Sequence, residues 1–599
     1  MPRIADLRPV PQPRLPPAAA SGIIAARMKQ ALPTDAPSLI ASALAAMKRA
    51  LGYAFLFAFA VNLLSMLMPI YSLQVFDRVF ATRSADTLIA LTAVVLVGYL
   101  FYGAFYAIRA GIIARIVEWL ERTVAPKLLR VSIIFAAESG QAQAGQHQRD
   151  LMTLKNYIST AAPTLMDVPW SLLFLLVIYM INPLLGFIAA LSILMLITAA
   201  LINEYATRKA LMRAGERSVE AISAADSLGR SGEAIQAMGM AGNVIARWQE
   251  DTARGLTLQD TAQQRSAIIT GCTRALRMIM QVAITCAGAY LALRGEITSG
   301  GIVATSMLTA RALSPFEGTI QMWKNFVSAR DAYRRLHLLV STVGVGLPET
   351  TLPTPRGMLT AENLYITISG TPILRGISLQ LQPGESLGII GPSAAGKSTL
   401  AKAMVGIYQP VHGVVRLDGA DLYHWPREDA GPHIGYLPQH VELFHGTIKQ
   451  NIARMEKNAS DEAVIEAAQK AGVHQMILQL PKGYDTIYHP GNVVLSPGQR
   501  QRIGLARALY GKPRVIVLDE PNSNMDGDGE RALMVSLQFM KEAGMTTIIV
   551  AHRPSVLATV DKVLMLRGGI VEILGERDEV LSRFTTGGAR RLQDAGGQS

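Results

Sequence analysis

Between Leu51 and Trp323 the apolar residues of this 599-residue chain gather into six runs of roughly 20 residues, the length that crosses a bilayer as helix. In hydrocarbon every backbone N–H and C=O has to be satisfied within its own segment, so single runs of this kind can only be helices. The predicted spans are Leu51–Leu73, Thr87–Ile108, Thr164–Ile181, Pro183–Ile202, Ile268–Leu293 and Ile302–Trp323. Lys48 and Arg49 precede the first span. Arg109, Arg115, Arg122, Lys127 and Arg130 follow the second, and Arg208, Lys209 and Arg213 follow the fourth. Lys and Arg beside short loops mark the cytoplasmic side. The second and fourth spans run on into long helix-like stretches too polar for lipid, predicted to extend into the cytoplasm and reach the domain that follows.

The net charge of +12 follows from these flanks. No basic stripe interleaved with aromatics accompanies it, so nucleic acid is not an expected partner. The two cysteines, Cys272 and Cys286, lie in one predicted helix about 21 Å apart at 1.5 Å per residue and cannot bond to each other there. Residues 1–45 are rich in Pro, Ala and Arg, without the apolar core of a secretory signal. They read as a cytoplasmic extension with a short helix near Ala36 to Arg49. Ionisable residues inside spans are costly and face a cavity or a partner. Asp167, Arg274, Arg277, Arg311 and Glu317 lie within or near the ends of spans. Arg274 reads as snorkelling to the interface, the same reading stays open for Arg277, and Arg277 with Arg311 would give a pathway a positive lining suited to acidic cargo.

After about Leu347 the chain reads as a soluble α/β domain. Gly391-Pro-Ser-Ala-Ala-Gly396-Lys397-Ser398 fits the phosphate-binding pattern G-x-x-x-x-G-K-[ST], between an apolar strand (Ser386 to Ile390) and a helical run from Thr399. Backbone N–H groups of such a loop point at phosphates, and the helix N-terminus adds partial positive charge. The phosphate-binding residues are therefore Gly391, Pro392, Ser393, Ala394, Ala395, Gly396, Lys397, Ser398 and Thr399. Lys397 reaches the β- and γ-phosphates and Ser398 ligates Mg²⁺. A second apolar strand ends in Asp519-Glu520. There Asp519 can hold the metal through water, and Glu520 can polarise an attacking water as general base. Tyr436-Leu-Pro-Gln439, Leu495-Ser-Pro-Gly-Gln499 and Ile548-Ile-Val-Ala-His552 stand in fixed order around these.

In this order and spacing the chain resembles an ABC exporter half-transporter, an all-α six-helix transmembrane domain followed by an α/β P-loop nucleotide-binding domain. The resemblance covers nearly everything after residue 45. It implies ATP and Mg²⁺ as cofactors and an ATPase coupled to transport. Gln439 corresponds to the family's Q-loop glutamine, linking metal and water, and His552 to the switch histidine at the γ-phosphate. Residues 521–526 hold the D-loop position. Leu495 to Gln499 matches LSGGQ with Pro497 in place of its first glycine, so Ser496, Gly498 and Gln499 would complete the ATP site of a second copy in a homodimer. Pro497 removes a backbone donor. The adenine-stacking position aligns with Ile368 rather than Tyr365, so base recognition is expected to be weak. The implied domains are a 1–45 extension, a 46–340 transmembrane domain, a 341–585 ATP-binding domain and a 586–599 tail.

Asp167-Val-Pro-Trp-Ser, Arg294-Gly-Glu-Ile-Thr-Ser-Gly, Ala310 to Glu317, Trp323 to Arg330 and Tyr436 to Phe444 narrow the resemblance to type I secretion ATPases of the protease-exporting group. That group implies a bacterial inner-membrane protein surrounded by lipid. Its partners would be a periplasmic membrane-fusion protein, an outer-membrane channel and a secreted protein bearing a C-terminal signal. Residues 1–45 leave no room for a cysteine peptidase domain, so leader cleavage is not expected. The alternative within the same fold is an exporter of lipids, peptides or small hydrophobic molecules.

Overall fold

The computed structural model describes residues 39–139, 144–343, 352–368, 370–489, 495–523, 525–551 and 553–582. Most of the predicted N-terminal extension and the whole 586–599 tail lie outside these residues. The chain forms two compact units, a helical one over residues 33–136 and 142–345 and a second that holds residues 346–599.

The helical unit begins with α1 (Leu39–Leu64), α2 (Leu67–Gln74) and a π-helical turn (Val75–Val79), ended by Arg83 in the left-handed region. It continues through α3 (Ala85–Ser139), α4 (Ala144–Asp167), α5 (Ser171–Ile181), α6 (Pro183–Arg230), α7 (Ala241–Leu293), α8 (Ser299–Gln321) and α9 (Trp323–Val343). The 55-residue α3 is about 80 Å long at 1.5 Å per residue, against a hydrocarbon core of about 30 Å. Its length beyond the bilayer is what the polar stretch after the second span predicts. α5 and α6 meet at Asn182, whose side chain accepts from Leu184 N at 2.9 Å with Pro183 as the first helical residue. That cap and that proline turn the chain sharply without exposing an unpaired donor.

Among the described residues, five helical stretches are long and apolar enough to cross a membrane: Met47–Thr82, Ala85–Glu138, Gly145–Ile181, Pro183–Gly229 and Ala241–Leu293. The sixth predicted span is the helix α8, less apolar because Arg311, Pro315 and Glu317 interrupt it. Leu308, Ala312 and Leu313 of α8 pack with Phe174, Ile178 and Leu196 in a buried cluster, while Leu100, Met180 and Leu293 face outward.

Two arginines of this unit, Arg109 and Arg277, pair with carboxylates. Arg109, read from sequence as a cytoplasmic flank, is buried and donates to Asp167 Oδ1 at 2.7 Å, and Asn62 Nδ2 donates to the same oxygen at 2.7 Å. Arg277 donates to Glu317 across α7 and α8. Its charge is therefore matched within the unit, and of the two arginines expected to line a positive pathway only Arg311 is exposed. Asp77 accepts from Gly300 N at 2.9 Å and from Thr298 Oγ1 at 2.6 Å, capping the start of α8.

In the second unit β1 (Leu359–Ile368), β2 (Thr371–Leu381) and β4 (His412–Leu417) form most of an antiparallel sheet in the order β2-β1-β4. The main sheet runs β9-β8-β3-β7-β6-β5, from β3 (Ser386–Ile390), β5 (Ile434–Leu437), β6 (Val515–Asp519), β7 (Thr546–Val550), β8 (Lys562–Arg567) and β9 (Ile570–Glu576). Its five strands β8, β3, β7, β6 and β5 are parallel, and β9 joins the edge antiparallel. β6 and β7 are buried at every residue, which is why residues 515–518 and 548–550 read as apolar runs. On one face packs α10 (Lys397–Met404). On the other lie α11 (Asp461–Lys470), α12 (Pro497–Leu509) and α13 (Gly527–Glu542), in a separate apolar cluster. In a parallel sheet with helices on both faces, ligands bind beyond the carboxyl ends of the strands.

Candidate functional site

The residues beyond those strand ends are the ones the motifs name. Between β3 and α10 the chain takes two backbone conformations that glycine alone adopts without strain. Gly391 has φ 152°, and a Cβ there would stand 2.1 Å from Leu566 O; Gly396 has φ 100°, with Leu374 Cδ2 2.8 Å from where a Cβ would be. Ala394, also left-handed at φ 62°, completes the curl without being glycine. Gly396 then caps α10, so Lys397 and Ser398 open the helix, with Thr399 behind them.

Lys397 is buried, and its ammonium donates to Gly391 O and Pro392 O, each at 2.9 Å. Burial pulls its pKa down, opposed by the charges of Glu520 and Asp519. Ser398 Oγ donates to Asp519 Oδ1 at 3.0 Å. Burial pushes the Asp519 carboxyl above its ordinary value, and the Ser398 bond is the first influence opposing it. Asp519 Oδ2 is buried without a hydrogen-bond partner among the described residues. A hydroxyl and a carboxylate with an unsatisfied hard oxygen are donors that suit Mg²⁺. No group of three His, Cys, Asp or Glu able to hold a metal occurs among the described residues. Mg²⁺ needs none, since it is held by one or two carboxylates together with substrate phosphates.

Glu520 follows the strand in the left-handed region at φ 50°, a conformation that costs a non-glycine residue about 1–2 kcal/mol. Contacts with three described residues help hold it there. Its N–H donates to Val550 O at 3.1 Å, its carbonyl accepts from Gln501 Nε2 at 3.0 Å, and its carboxylate accepts from Gln439 Nε2 at 2.9 Å. Strain maintained at a strand end carrying an acid is the kind found at working sites. Gln501 is a functional contributor that the motifs did not reveal. It is buried on α12, two residues past Gln499, and nothing in its local sequence distinguishes it from the helix around it.

The structure gathers Lys397, Ser398, Gln439, Asp519 and Glu520 into one site. Ser496, Gly498 and Gln499 lie at the start of α12. There Ser496 Oγ accepts from Gln499 N at 3.2 Å, and Gln499 Oε1 accepts from Ser496 N at 2.9 Å. Pro497 is the first helical residue, where the N–H has no intrahelical partner to lose and proline's fixed φ is already helical. Asp526 caps α13, accepting from Gly529 N at 2.8 Å. Tyr365 sits edge-to-face with His412, 6.1 Å between centroids, while Ile368 closes β1 opposite Thr371. His552 and Asn524 lie outside the described residues.

The ABC transporter family matches residues 374–523, and the ABC transporter transmembrane region matches residues 51–315. The chain is 38% identical over 533 residues to the type I secretion system ATP-binding protein PrsD of Rhizobium meliloti, covering 87% of this chain and 90% of that protein. It is 28% identical over 583 residues to the cyclolysin secretion/processing ATP-binding protein CyaB of Bordetella pertussis, covering 93% and 79%. With the alpha-hemolysin translocation ATP-binding protein HlyB of Escherichia coli O157:H7 it shares 28% over 547 residues, covering 87% and 75%. A solved bacterial Atm1-family ABC exporter with ATP bound is similar in fold, with TM-score 0.77 at 22% identity over 93% of this chain and 100% of that one.

Proposed function

The chain belongs to the ABC transporter family, and from that premise we propose that it is the ATP-hydrolysing exporter of a bacterial type I secretion system, a multi-pass inner-membrane protein that moves protein cargo outward. The observation that carries the ATPase reading is the convergence of Ser398 on Asp519 and of Gln439 on Glu520 behind the Lys397 loop. The likeness to secretion ATP-binding proteins along most of their length directs that ATPase to protein export.

The loop from Gly391 to Thr399 binds the phosphates through backbone N–H groups, and the Lys397 ammonium exchanges its two loop carbonyls for phosphate oxygens. Ser398, Asp519 and Gln439 would hold a divalent cation, which would supply neutralisation of the phosphate charge. Glu520 accepts the proton of the attacking water, oriented by the Gln439 amide. His552 contacts the γ-phosphate. The partner for Ser496, Gly498 and Gln499 is the ATP of a second copy: the start of α12 offers hydroxyl, backbone N–H and helix-terminal positive charge to a γ-phosphate. Two such sites form in a homodimer, and hydrolysis at both alternates closure and opening of the paired nucleotide-binding units.

The cargo is an unfolded protein with an uncleaved C-terminal signal, delivered to a periplasmic membrane-fusion protein and an outer-membrane channel. The test is purified protein in lipid, with ATPase turnover followed as a C-terminal cargo peptide is added, beside export assays in cells lacking either envelope partner. Stimulation by the peptide and loss of export without a partner support the reading. Turnover stimulated by lipid alone, with no response to peptide, would replace it with the lipid or small-molecule exporter.

A further inference from the structure

β5 and β6 run parallel with Tyr436 opposite Val517. Side chains paired in this way emerge on the same face of a sheet, and so do residues two apart along one strand. Tyr436, Val517 and Asp519 therefore share one face. Two observations place that face under the phosphate loop: Tyr436 packs against the cluster that contains Val517, Leu400 and Met404, and Asp519 takes the Ser398 hydroxyl. Asp519 lies about 7 Å further along the strand than Val517, at 3.3 Å per residue, within reach of the long tyrosine side chain and one intervening water.

Two buried polar atoms on this face have no hydrogen-bond partner among the described residues, Tyr436 Oη and Asp519 Oδ2. One is a hydroxyl able to donate, the other a carboxylate oxygen able only to accept. Buried groups of this kind are ordinarily satisfied, by water where protein does not reach. Phenylalanine would fill the same apolar space, so packing does not account for the hydroxyl. Burial first, and the Asp519 charge second, hold the Tyr436 phenol well above its ordinary pKa, so it keeps its proton.

We propose that Tyr436 is a positioning residue for the metal half of the ATP site: its hydroxyl donates through one bridging water to Asp519 Oδ2, fixing the carboxylate in the orientation that leaves Oδ1 beside Ser398. The inference rests on the reading of Asp519 as a metal ligand. It gives β5 a double task. Three residues after Tyr436 the same strand's extension presents Gln439 to Glu520, so one strand orders both carboxylates, the metal's through Tyr436 and the base's through Gln439.

The test is Tyr436→Phe in the full-length protein, with Mn²⁺ as the probe and its binding in the presence of ATP titrated by electron paramagnetic resonance. Loss of one neutral hydrogen bond in the surroundings of a metal ligand lowers Mn²⁺ affinity about three- to tenfold. Nucleotide affinity in EDTA and the thermal midpoint without nucleotide stay unchanged, which a purely structural role for the hydroxyl would not produce. Unchanged Mn²⁺ affinity, or an equal loss of nucleotide affinity in EDTA, would overturn the proposal. Asp519→Asn separates the two readings. If it lowers Mn²⁺ affinity while Tyr436→Phe does not, only the tyrosine's role fails; if it leaves Mn²⁺ affinity intact, the metal-ligand reading fails with it.

Discussion

The side-chain amide of Gln439 donates to the carboxylate of Glu520 at 2.9 Å, across 81 positions of sequence. The glutamine lies two residues past the end of one strand and the glutamate follows another, and the bond aims a carboxylate whose own backbone is held at φ 50°. A general base has to be aimed before its pKa matters.

Replacing that carboxylate by an amide keeps the volume and removes the proton acceptor. Glu520→Gln is expected to lower steady ATP turnover by about a hundredfold or more while ATP stays bound. Turnover and nucleotide retained after gel filtration check this together. Steady hydrolysis at the wild-type rate would remove Glu520 from the role of base.

At position 497 two effects oppose. Proline suits the first turn of α12 and limits the unfolded chain, so Pro497→Gly is expected to reduce stability by about 0.4–1 kcal/mol. The same change adds an N–H where the γ-phosphate of a second copy would lie, and turnover is expected to rise, by up to about tenfold for one such donor. Thermal unfolding and ATPase rates of the variant measure the two effects separately.

Asp519 is buried, and its pKa is raised in the folded protein chiefly by that burial. A carboxyl whose folded pKa exceeds its unfolded value subtracts stability at pH above both, and the deficit disappears as pH falls through the folded pKa. Nucleotide-free Asp519→Asn is therefore expected to melt above wild type at neutral pH, with the two curves converging as the solution is acidified. ATP with Mg²⁺ should stabilise wild type more than the variant. A variant that melts lower at neutral pH would contradict the sign.

In the helical unit, Asp167→Ala would strand the buried Arg109 guanidinium. Removing one partner of a buried ion pair costs about 3–5 kcal/mol, whereas apolar replacement of both is often neutral. The single variant should fall sharply in abundance and thermal midpoint, and Arg109→Met with Asp167→Leu should recover most of the loss. Equal defects in the single and double variants would show that the pair contributes something other than mutual neutralisation.

Much of this architecture is legible along the chain because its causes are local. Runs near 20 apolar residues have to be helices in lipid, and α3 outlasts the bilayer because its second half is polar. The phosphate loop depends on backbone conformations that Gly391 and Gly396 supply wherever they stand. Buried parallel strands announce themselves as β6 and β7 do. The partners of Arg277 and Arg109 were not legible, for the opposite reason. A charge in a span invites a cavity or a flank, but Glu317 lies 40 positions away and Asp167 lies 58, and only helix rotation and register bring them into contact.

The sequence by itself determined that this chain is a membrane-spanning helical unit followed by a phosphate-binding α/β unit, since periodicity, run length and loop conformation are properties of neighbouring residues. Tertiary structure alone decided which charges neutralise one another, that Gln501 supports the backbone of Glu520, and that Ser398 and Tyr436 share one face with Asp519. Those pairings depend on strand order and on the rotation of packed helices, where a shift of one residue would turn each side chain to another face.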